Sequence, residues 1–186
     1  MVGLSGLWMP ILVSAVFVFI MSSLIHMVLG WHKSEYPAPP NQDALGDALR
    51  PFNLAPGEYM LPRAGSMKEM GEPAFIEKLK KGPVMMLNVY PNGPFSMGKQ
   101  LFLWFLYAVA ISVFVAYVTG RTNGQGATYL TIFRVSGAVA FAGYALGQWQ
   151  NWIWYKHGTQ ATIMNTVDGL IYALLVGGTF GWLWPR

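Results

Sequence analysis

Hydrophobic residues in this chain are concentrated in four long runs, and most polar residues fall between them. The runs cover Leu7–Leu29, Gln100–Thr119, Val135–Ile153 and Ile163–Trp184, and only the last contains a charged side chain, Asp168. A membrane-spanning helix needs about 20 mostly apolar residues, and its backbone groups must pair within the segment because lipid offers no hydrogen bonds. The pattern therefore predicts four transmembrane helices.

Small residues recur at helical spacing in three of these runs. Such residues let two helix backbones approach closely, which is how membrane helices gain packing energy. The positions concerned are Ala108, Ser112 and Ala116 in the second run, Gly143 and Gly147 in the third, and Gly169, Ala173, Gly177 and Gly181 in the fourth. We therefore expect an all-α membrane domain, a four-helix bundle with close contacts along these stripes.

The segment between the first two runs, residues 31–99, is the only part long enough to fold outside the membrane. Its proline, β-branched and aromatic residues predict two strands and two short helices. These elements are helices at Asp43–Leu49 and Pro73–Lys81, and strands at Glu58–Leu61 and Val84–Tyr90. We expect a small α+β flap, inserted into one membrane domain that consists of residues 1–30 and 100–186.

Basic residues are unevenly distributed between the connecting segments. Segment 31–99 carries Lys33, Arg50, Arg63, Lys68, Lys78, Lys80, Lys81 and Lys99. The connection between the second and third runs carries only Arg121 and, directly before the third run, Arg134. Because Lys- and Arg-rich loops stay in the cytoplasm, we expect the flap to be cytoplasmic and both termini to be outside.

Composition narrows the possible functions. Only 11% of the residues are charged, and the basic ones lie next to membrane runs, where anionic lipid is the nearer partner, so nucleic-acid binding is not expected. The chain has no cysteine, which excludes disulfides, thiolate metal sites and a cysteine nucleophile. Gly-rich phosphate loops and a nucleophile elbow are also absent. No catalytic residue and no favoured cofactor follow from motifs.

Polar side chains inside the runs are the best candidates for a functional site, because they are unfavourable in hydrocarbon. The expected topology brings a polar layer, His26, Gln148, Asn165, Asp168 and Tyr172, to one membrane level near the cytoplasmic side. The last three recur at three and four residues and so share one helix face. Two interpretations stay open. The layer either fixes helix register by mutual hydrogen bonds, or it forms a proton-handling or quinone-headgroup site.

The three histidines raise the question of a metal site. His26, His32 and His157 all fall near the expected cytoplasmic interface, and Glu35 is a possible fourth ligand. The six-residue separation of His26 and His32 matches neither the i, i+4 pair of a helical zinc site nor haem ligation between two spans. The sequence therefore does not favour metal or haem, and it places His32, beside Trp31, in the interfacial aromatic belt.

Three segments carry a resemblance to known proteins. They are Ile25–Tyr36 (IHMVLGWHKSEY), Gly82–Lys99 and Asp168–Pro185. In these segments the chain resembles a family of small four-span bacterial inner-membrane proteins with no assigned activity. The resemblance implies a bacterial inner-membrane location and transfers no catalytic or binding residue.

The expected role is non-catalytic. Close-packing helix faces, many interfacial tryptophans and the lack of a catalytic constellation indicate an accessory or scaffold subunit, which contacts lipid and other membrane subunits or copies of itself. Two alternatives remain. One is a small redox or proton-coupled membrane protein with a quinone, haem or metal site at the cytoplasmic side, and the other is an oligomeric transporter of small solutes.

Overall fold

The computed structural model describes residues 1–186, and the chain is mostly helical with one small sheet. In chain order the elements are α1 (Leu4–Leu29), α2 (Gln42–Leu49), β1 (Gly57–Leu61), α3 (Met67–Met70), α4 (Pro73–Lys81), β2 (Met85–Val89), α5 (Gly98–Thr122), α6 (Tyr129–Tyr155) and α7 (Thr159–Trp182). Helices α1, α5, α6 and α7 are long and apolar enough to cross a membrane. The four predicted membrane helices are confirmed, and the chain is a multi-pass membrane protein.

Helix α6 starts earlier than the hydrophobic run predicted, at Tyr129 instead of Val135. Its start is set by a cap, because the Thr128 hydroxyl accepts a hydrogen bond from the backbone N–H of Thr131 at 3.4 Å. Arg134 lies directly before the apolar run, yet it is part of the helix, because its side chain is exposed and is not buried between helices. The N-terminal boundary of α6 is therefore set by its hydrogen-bonded cap and not by the start of the hydrophobic run.

Each membrane helix packs against its neighbours along buried apolar contacts. Helix α1 contacts α5 and α7, and α6 contacts the same two helices. The side chains that fill these contacts and are fully buried include Leu7, Val18, Val115, Ile132, Val176 and Phe180. The core of the membrane unit therefore lies between the four helices.

Helices α6 and α7 approach most closely where α7 has glycine. A Cβ atom added at Gly177 would lie 3.0 Å from the carbonyl oxygen of Phe133 and 3.3 Å from Cα of Gly137. One at Gly169 would lie 2.8 Å from Cβ of Ala145. A Cβ at Gly181 would lie 2.7 Å from the Tyr129 ring, and Ala173 on the same face is buried. These positions therefore need a small residue because the facing helix leaves no room.

The other two stripes differ from each other. Ala108, Ser112 and Ala116 of α5 are all fully buried. In α6, a Cβ at Gly143 would lie 2.8 Å from Cδ1 of Ile111 on α5, but one at Gly147 would meet no atom within 4 Å. Gly147 does not take the packing position that its spacing predicted. The π-helical stretch Ala142–Leu146 contains Gly143 and ends directly before Gly147, and it changes the direction in which later residues face.

The loop between α1 and α5 forms a compact unit of its own, Ala38–Phe95, while Met1–Pro37 and Ser96–Arg186 form the other. The strands of the loop unit are antiparallel, with Gly57 opposite Val89 and Leu61 opposite Met85. The predicted helix at Pro73–Lys81 has the same bounds in the structure. The sequence analysis missed the short helix α3, although its Ser66-x-x-Glu69 start is a capping-box signal.

Candidate functional site

Polar and aromatic side chains collect at one end of the membrane helices. This end consists of the C-terminal ends of α1 and α6 and the N-terminal ends of α5 and α7. We call it the loop-side end, because the long segment that connects α1 to α5 begins and ends there. A cavity of about 540 Å³ lies there. All members of the predicted polar layer line it, namely His26, Gln148, Asn165, Asp168 and Tyr172.

Asp168 lies at the centre of this site. Its side chain is only 3% exposed, and Nε2 of His32 hydrogen-bonds to its Oδ2 atom at 2.8 Å. Nε2 of His26 lies 3.9 Å from the same oxygen. The other oxygen, Oδ1, is buried and has no hydrogen-bond partner in the chain. A buried polar atom without a partner is unfavourable by about 1–3 kcal/mol. Oδ1 can therefore still take up a proton, accept a hydrogen bond or bind a cation.

His32 lies inside this cluster, so its expected place in the aromatic belt is wrong. The ring centroids of His26 and His32 are 4.3 Å apart. Nδ1 of His32 hydrogen-bonds to Oε1 of Glu35. The reason is the backbone at Gly30, which ends α1 with φ +64°, a left-handed conformation that suits glycine and reverses the chain. Two histidines six residues apart thereby reach one carboxylate.

Two π-helical stretches widen the membrane helices at this end. Leu24–Leu29 in α1 carries His26, and Ala142–Leu146 in α6 carries Tyr144. Wide turns of this kind are rare and occur frequently at functional sites, where they change the direction of a side chain. Both of the stretches found here contribute a residue to the lining of the cavity.

Four aromatic rings form the apolar side of the cavity. The rings of Trp104, Tyr107, Tyr144 and Tyr172 form five contacting pairs, all but Tyr107 with Tyr172, with centroids 5.5–6.3 Å apart. The indole Nε1 of Trp104 donates a hydrogen bond to Oγ of Ser22 at 2.7 Å and so links α5 to α1. The hydroxyl groups of Tyr144 and Tyr172 are buried without a hydrogen-bond partner in the chain.

The sequence analysis missed most of the α5 wall. Gln100, Trp104 and Tyr107 line the cavity and are separated by four and three residues, so they share one helix face. That spacing was available as a signal. It was obscured because Trp and Tyr near a helix end are common interfacial residues.

The candidate metal ligands separate into two groups. The ligand atoms of His26, His32 and Asp168 all lie within 4.8 Å of one another, and Glu35 contacts the cluster through His32. His157 is exposed and takes no part in this group. The cluster therefore contains two of the predicted histidines, the predicted glutamate and the aspartate of the polar layer.

Comparisons with protein-family models, with curated proteins and with solved structures found no match to this chain. The chemistry of the site is therefore the basis for a function. A buried carboxylate shared by two imidazoles can hold a proton or a metal ion, and the aromatic cavity beside it can hold a planar, mostly apolar molecule.

Proposed function

We propose that this protein binds a lipid-soluble aromatic ligand of the quinone class in the loop-side cavity, and that His26 and Asp168 supply or take up its protons when a separate electron-transfer partner reduces or oxidises it. One observation carries the proposal. A cavity of about 540 Å³ combines aromatic walls, side-chain amides and a buried carboxylate between two imidazoles. This function is the redox or proton-coupled alternative that the sequence left open.

The lining favours a neutral, planar ligand. No lysine or arginine lines the cavity, so an anionic ligand would find no counter-charge. The aromatic rings offer faces on which a planar ring can stack. The amides of Gln100, Gln148 and Asn165 can donate hydrogen bonds to the carbonyl oxygens of such a ring. The volume lies within the range of about 300–1,000 Å³ that is usual for small-molecule sites.

The exposure of the acid–base groups supports proton exchange. The side chain of His26 is 47% exposed, whereas that of Asp168 is 3% exposed, and the two lie 3.9 Å apart. The outer imidazole thus lies next to the inner carboxylate beside the cavity, and a small rotation of His26 or one bridging water would connect the two groups for proton transfer. Histidine suits this role because its imidazole can both accept and donate a proton.

Ligand binding tests the proposal. The purified protein in lipid nanodiscs is titrated with a short-chain benzoquinone, and binding is followed by calorimetry. Wild type should bind one equivalent saturably, and Tyr144→Leu should weaken binding about tenfold, equivalent to about 1.4 kcal/mol, because it removes an aromatic wall. Tyr155→Leu is the matched control, since Tyr155 is an exposed tyrosine of the same helix outside the cavity lining.

Wild-type protein without saturable binding would contradict the quinone proposal, as would equal weakening by both tyrosine variants.

The proposal includes the arrangement in the membrane. We infer a four-helix bundle in a bacterial inner membrane, with residues 31–99 in the cytoplasm and both termini outside; the distribution of lysine and arginine supports this orientation. Because the chain has no cysteine, single-cysteine variants report topology directly. In intact cells a membrane-impermeant maleimide should label Arg121→Cys and leave Lys68→Cys unlabelled; the reverse result would invert the orientation.

An accessory or scaffold role is a second candidate, either with other membrane subunits or as a homo-oligomer. It is supported by the broad apolar outer faces of the helices, where Phe102, Phe114 and Trp182 are exposed. These faces would contact lipid and leave surface for other subunits. Gentle detergent extraction followed by native mass analysis tests it. A defined assembly would favour this role, whereas a monodisperse monomer would count against it.

A further inference from the structure

Three metal-binding groups meet at the loop-side end. Nε2 of His32 and Nε2 of His26 lie 2.8 Å and 3.9 Å from Oδ2 of Asp168. Two atoms that bind one metal ion at about 2.1 Å lie about 3.0 Å apart at a right angle and about 3.4 Å apart at a tetrahedral angle. The two measured distances bracket these values. His26 is the most exposed of the three and has room for the small rotation that would bring it closer.

The second nitrogen of His32 is also in place. A metal-binding histidine usually gives its other ring N–H to a carboxylate or a carbonyl, which fixes the ring and makes the metal-facing nitrogen a better ligand. Nδ1 of His32 bonds to Oε1 of Glu35, while Nε2 faces Asp168. The side chains of His32 and Glu35 are each only 10% exposed, so this pair is held inside the protein.

The charges in the cluster also favour a cation. Asp168 and Glu35 are two mostly buried carboxylates, and their ion-pair partners are histidines, with no lysine or arginine among them. Oδ1 of Asp168 has no hydrogen-bond partner in the chain. Buried charges need either a partner charge or a metal ion, and a divalent ion would supply both the charge and a contact for the carboxylate.

From these three observations we infer that His26, His32 and Asp168 bind a divalent transition-metal ion, and that Glu35 acts as a positioning residue for His32. Two imidazoles and one carboxylate suit ions such as Zn²⁺, Fe²⁺ or Co²⁺, whereas Mg²⁺ and Ca²⁺ prefer oxygen ligands alone. Three protein ligands leave at least one coordination position open. His26 and Asp168 also line the cavity, so the open position adjoins the space that a ligand would occupy.

The metal site is tested with Co²⁺, because its absorption bands report ligand geometry. The full-length protein carries an affinity tag without histidine, is treated with a chelator and is titrated with Co²⁺ in detergent. Wild type should bind one Co²⁺ per chain, and Zn²⁺ should displace it. His32→Gln and Asp168→Asn keep similar side-chain volumes and should lose the Co²⁺ bands while remaining folded by size exclusion and thermal unfolding.

Two further variants make the test specific. His157→Ala is the matched control, because it removes an exposed histidine outside the cluster, and it should keep one Co²⁺ per chain. Glu35→Gln should retain the same bands but weaken Co²⁺ binding about 10- to 100-fold, as expected for a partner of a metal-binding histidine.

Wild-type protein that binds no stoichiometric Co²⁺ or Zn²⁺ would overturn the inference. It would also fall if folded His32→Gln bound Co²⁺ as wild type does, or if His157→Ala lost as much metal as His32→Gln. The inference does not depend on the quinone-class ligand, and the binding of metal and of that ligand can fail separately; with the ion bound, His26 and Asp168 act as its ligands, and they are proton-exchange groups only in its absence. Tyr144→Leu should bind Co²⁺ normally, because Tyr144 contributes no ligand to the cluster.

Discussion

The two ends of the membrane helices are built in different ways. At the far end from the loop, Leu7, Ile132 and Phe180 are fully buried and fill the space between the helices. At the loop-side end the helices contain π-helical stretches, and a cavity of about 540 Å³ separates them. The comparison teaches that α6 and α7 still pack closely beside Asp168, at Gly169, while the remaining space between the helices is left open where polar groups are held. Such a local departure from a filled core is the pattern expected of a functional site.

Hydrogen bonds sharpen the contrast. At the far end, the backbone N–H of Val2 donates to the carbonyl of Gly120 at 2.8 Å, and the indole of Trp184 donates to the carbonyl of Gly124 at 3.0 Å. These bonds fasten both terminal segments to the helices. At the loop-side end, Asp168 Oδ1 and the Tyr172 hydroxyl are buried without partners. The far end thus fastens its terminal segments by hydrogen bonds and leaves the Thr119 hydroxyl without a partner, whereas the unpaired groups of the loop-side end include a carboxylate oxygen beside the cavity.

The largest expected effect concerns the filled core of the far end. Phe180→Ala should lower the free energy of unfolding by about 3–5 kcal/mol, because a large ring leaves a cavity that its neighbours cannot close. Phe180 is 0% exposed, while Leu174 of the same helix is 50% exposed. Leu174→Ala, the control, should change stability by less than about 1 kcal/mol. Thermal and denaturant unfolding in a fixed detergent measures both, and similar losses would remove the distinction between a packed core and a lipid-facing surface.

A smaller effect is expected from filling the glycine contact between α6 and α7. Gly177→Val should cost about 1–3 kcal/mol of unfolding free energy, because the facing backbone at Phe133 must move. Gly147→Val carries the same substitution into open space on α6 and should cost clearly less. An equally unstable Gly147 variant would contradict this, because it would mean that residue 147 faces a neighbouring helix and that α6 is rotated differently after its π-helical stretch.

The smallest effect tests the link between α1 and α5 near the cavity. Oγ of Ser22 accepts a hydrogen bond from Trp104, whereas Oγ of Ser23 bonds only to the carbonyl of Phe19 in its own helix. Ser22→Ala should lower the free energy of unfolding by about 0.6–1.5 kcal/mol, since it leaves the indole N–H without a partner. Ser23→Ala should be nearly neutral. Equal stability of the two variants would show that this end is not held by the Trp104 bond.

Much of the architecture was accessible from pattern alone. The four apolar runs predicted the four membrane helices. Proline at the first position and Gly82 after the last predicted the bounds of the helix Pro73–Lys81. The start of α6 was predicted wrongly because the hydrophobic run begins only after Arg134, whereas the Thr128 cap and the exposed Arg134 side chain allow the helix to begin at Tyr129. Local hydrogen bonds and side-chain direction are not contained in an average of hydrophobicity.

The candidate site was accessible in part. The polar layer from His26 to Tyr172 was found because each residue's level along its helix follows from its position, at about 1.5 Å per residue. The contact of His32 with Asp168 was missed because the argument from spacing assumed a continuous helix, whereas the chain changes direction at the left-handed Gly30 between the two histidines. Glu35 was named as a possible ligand, but its contact through His32 depends on that change of direction.

By itself the sequence determined the number of membrane helices, the uneven distribution of basic charge and the level at which the polar groups fall. All three depend on composition and on distance along the chain. Only the tertiary structure decided that His32 would reach Asp168, that Trp104 would pair with Ser22 and that a cavity would open between them. These contacts depend on the rotation of each helix about its own axis, which π-helical turns and a left-handed glycine change without altering the hydrophobic pattern.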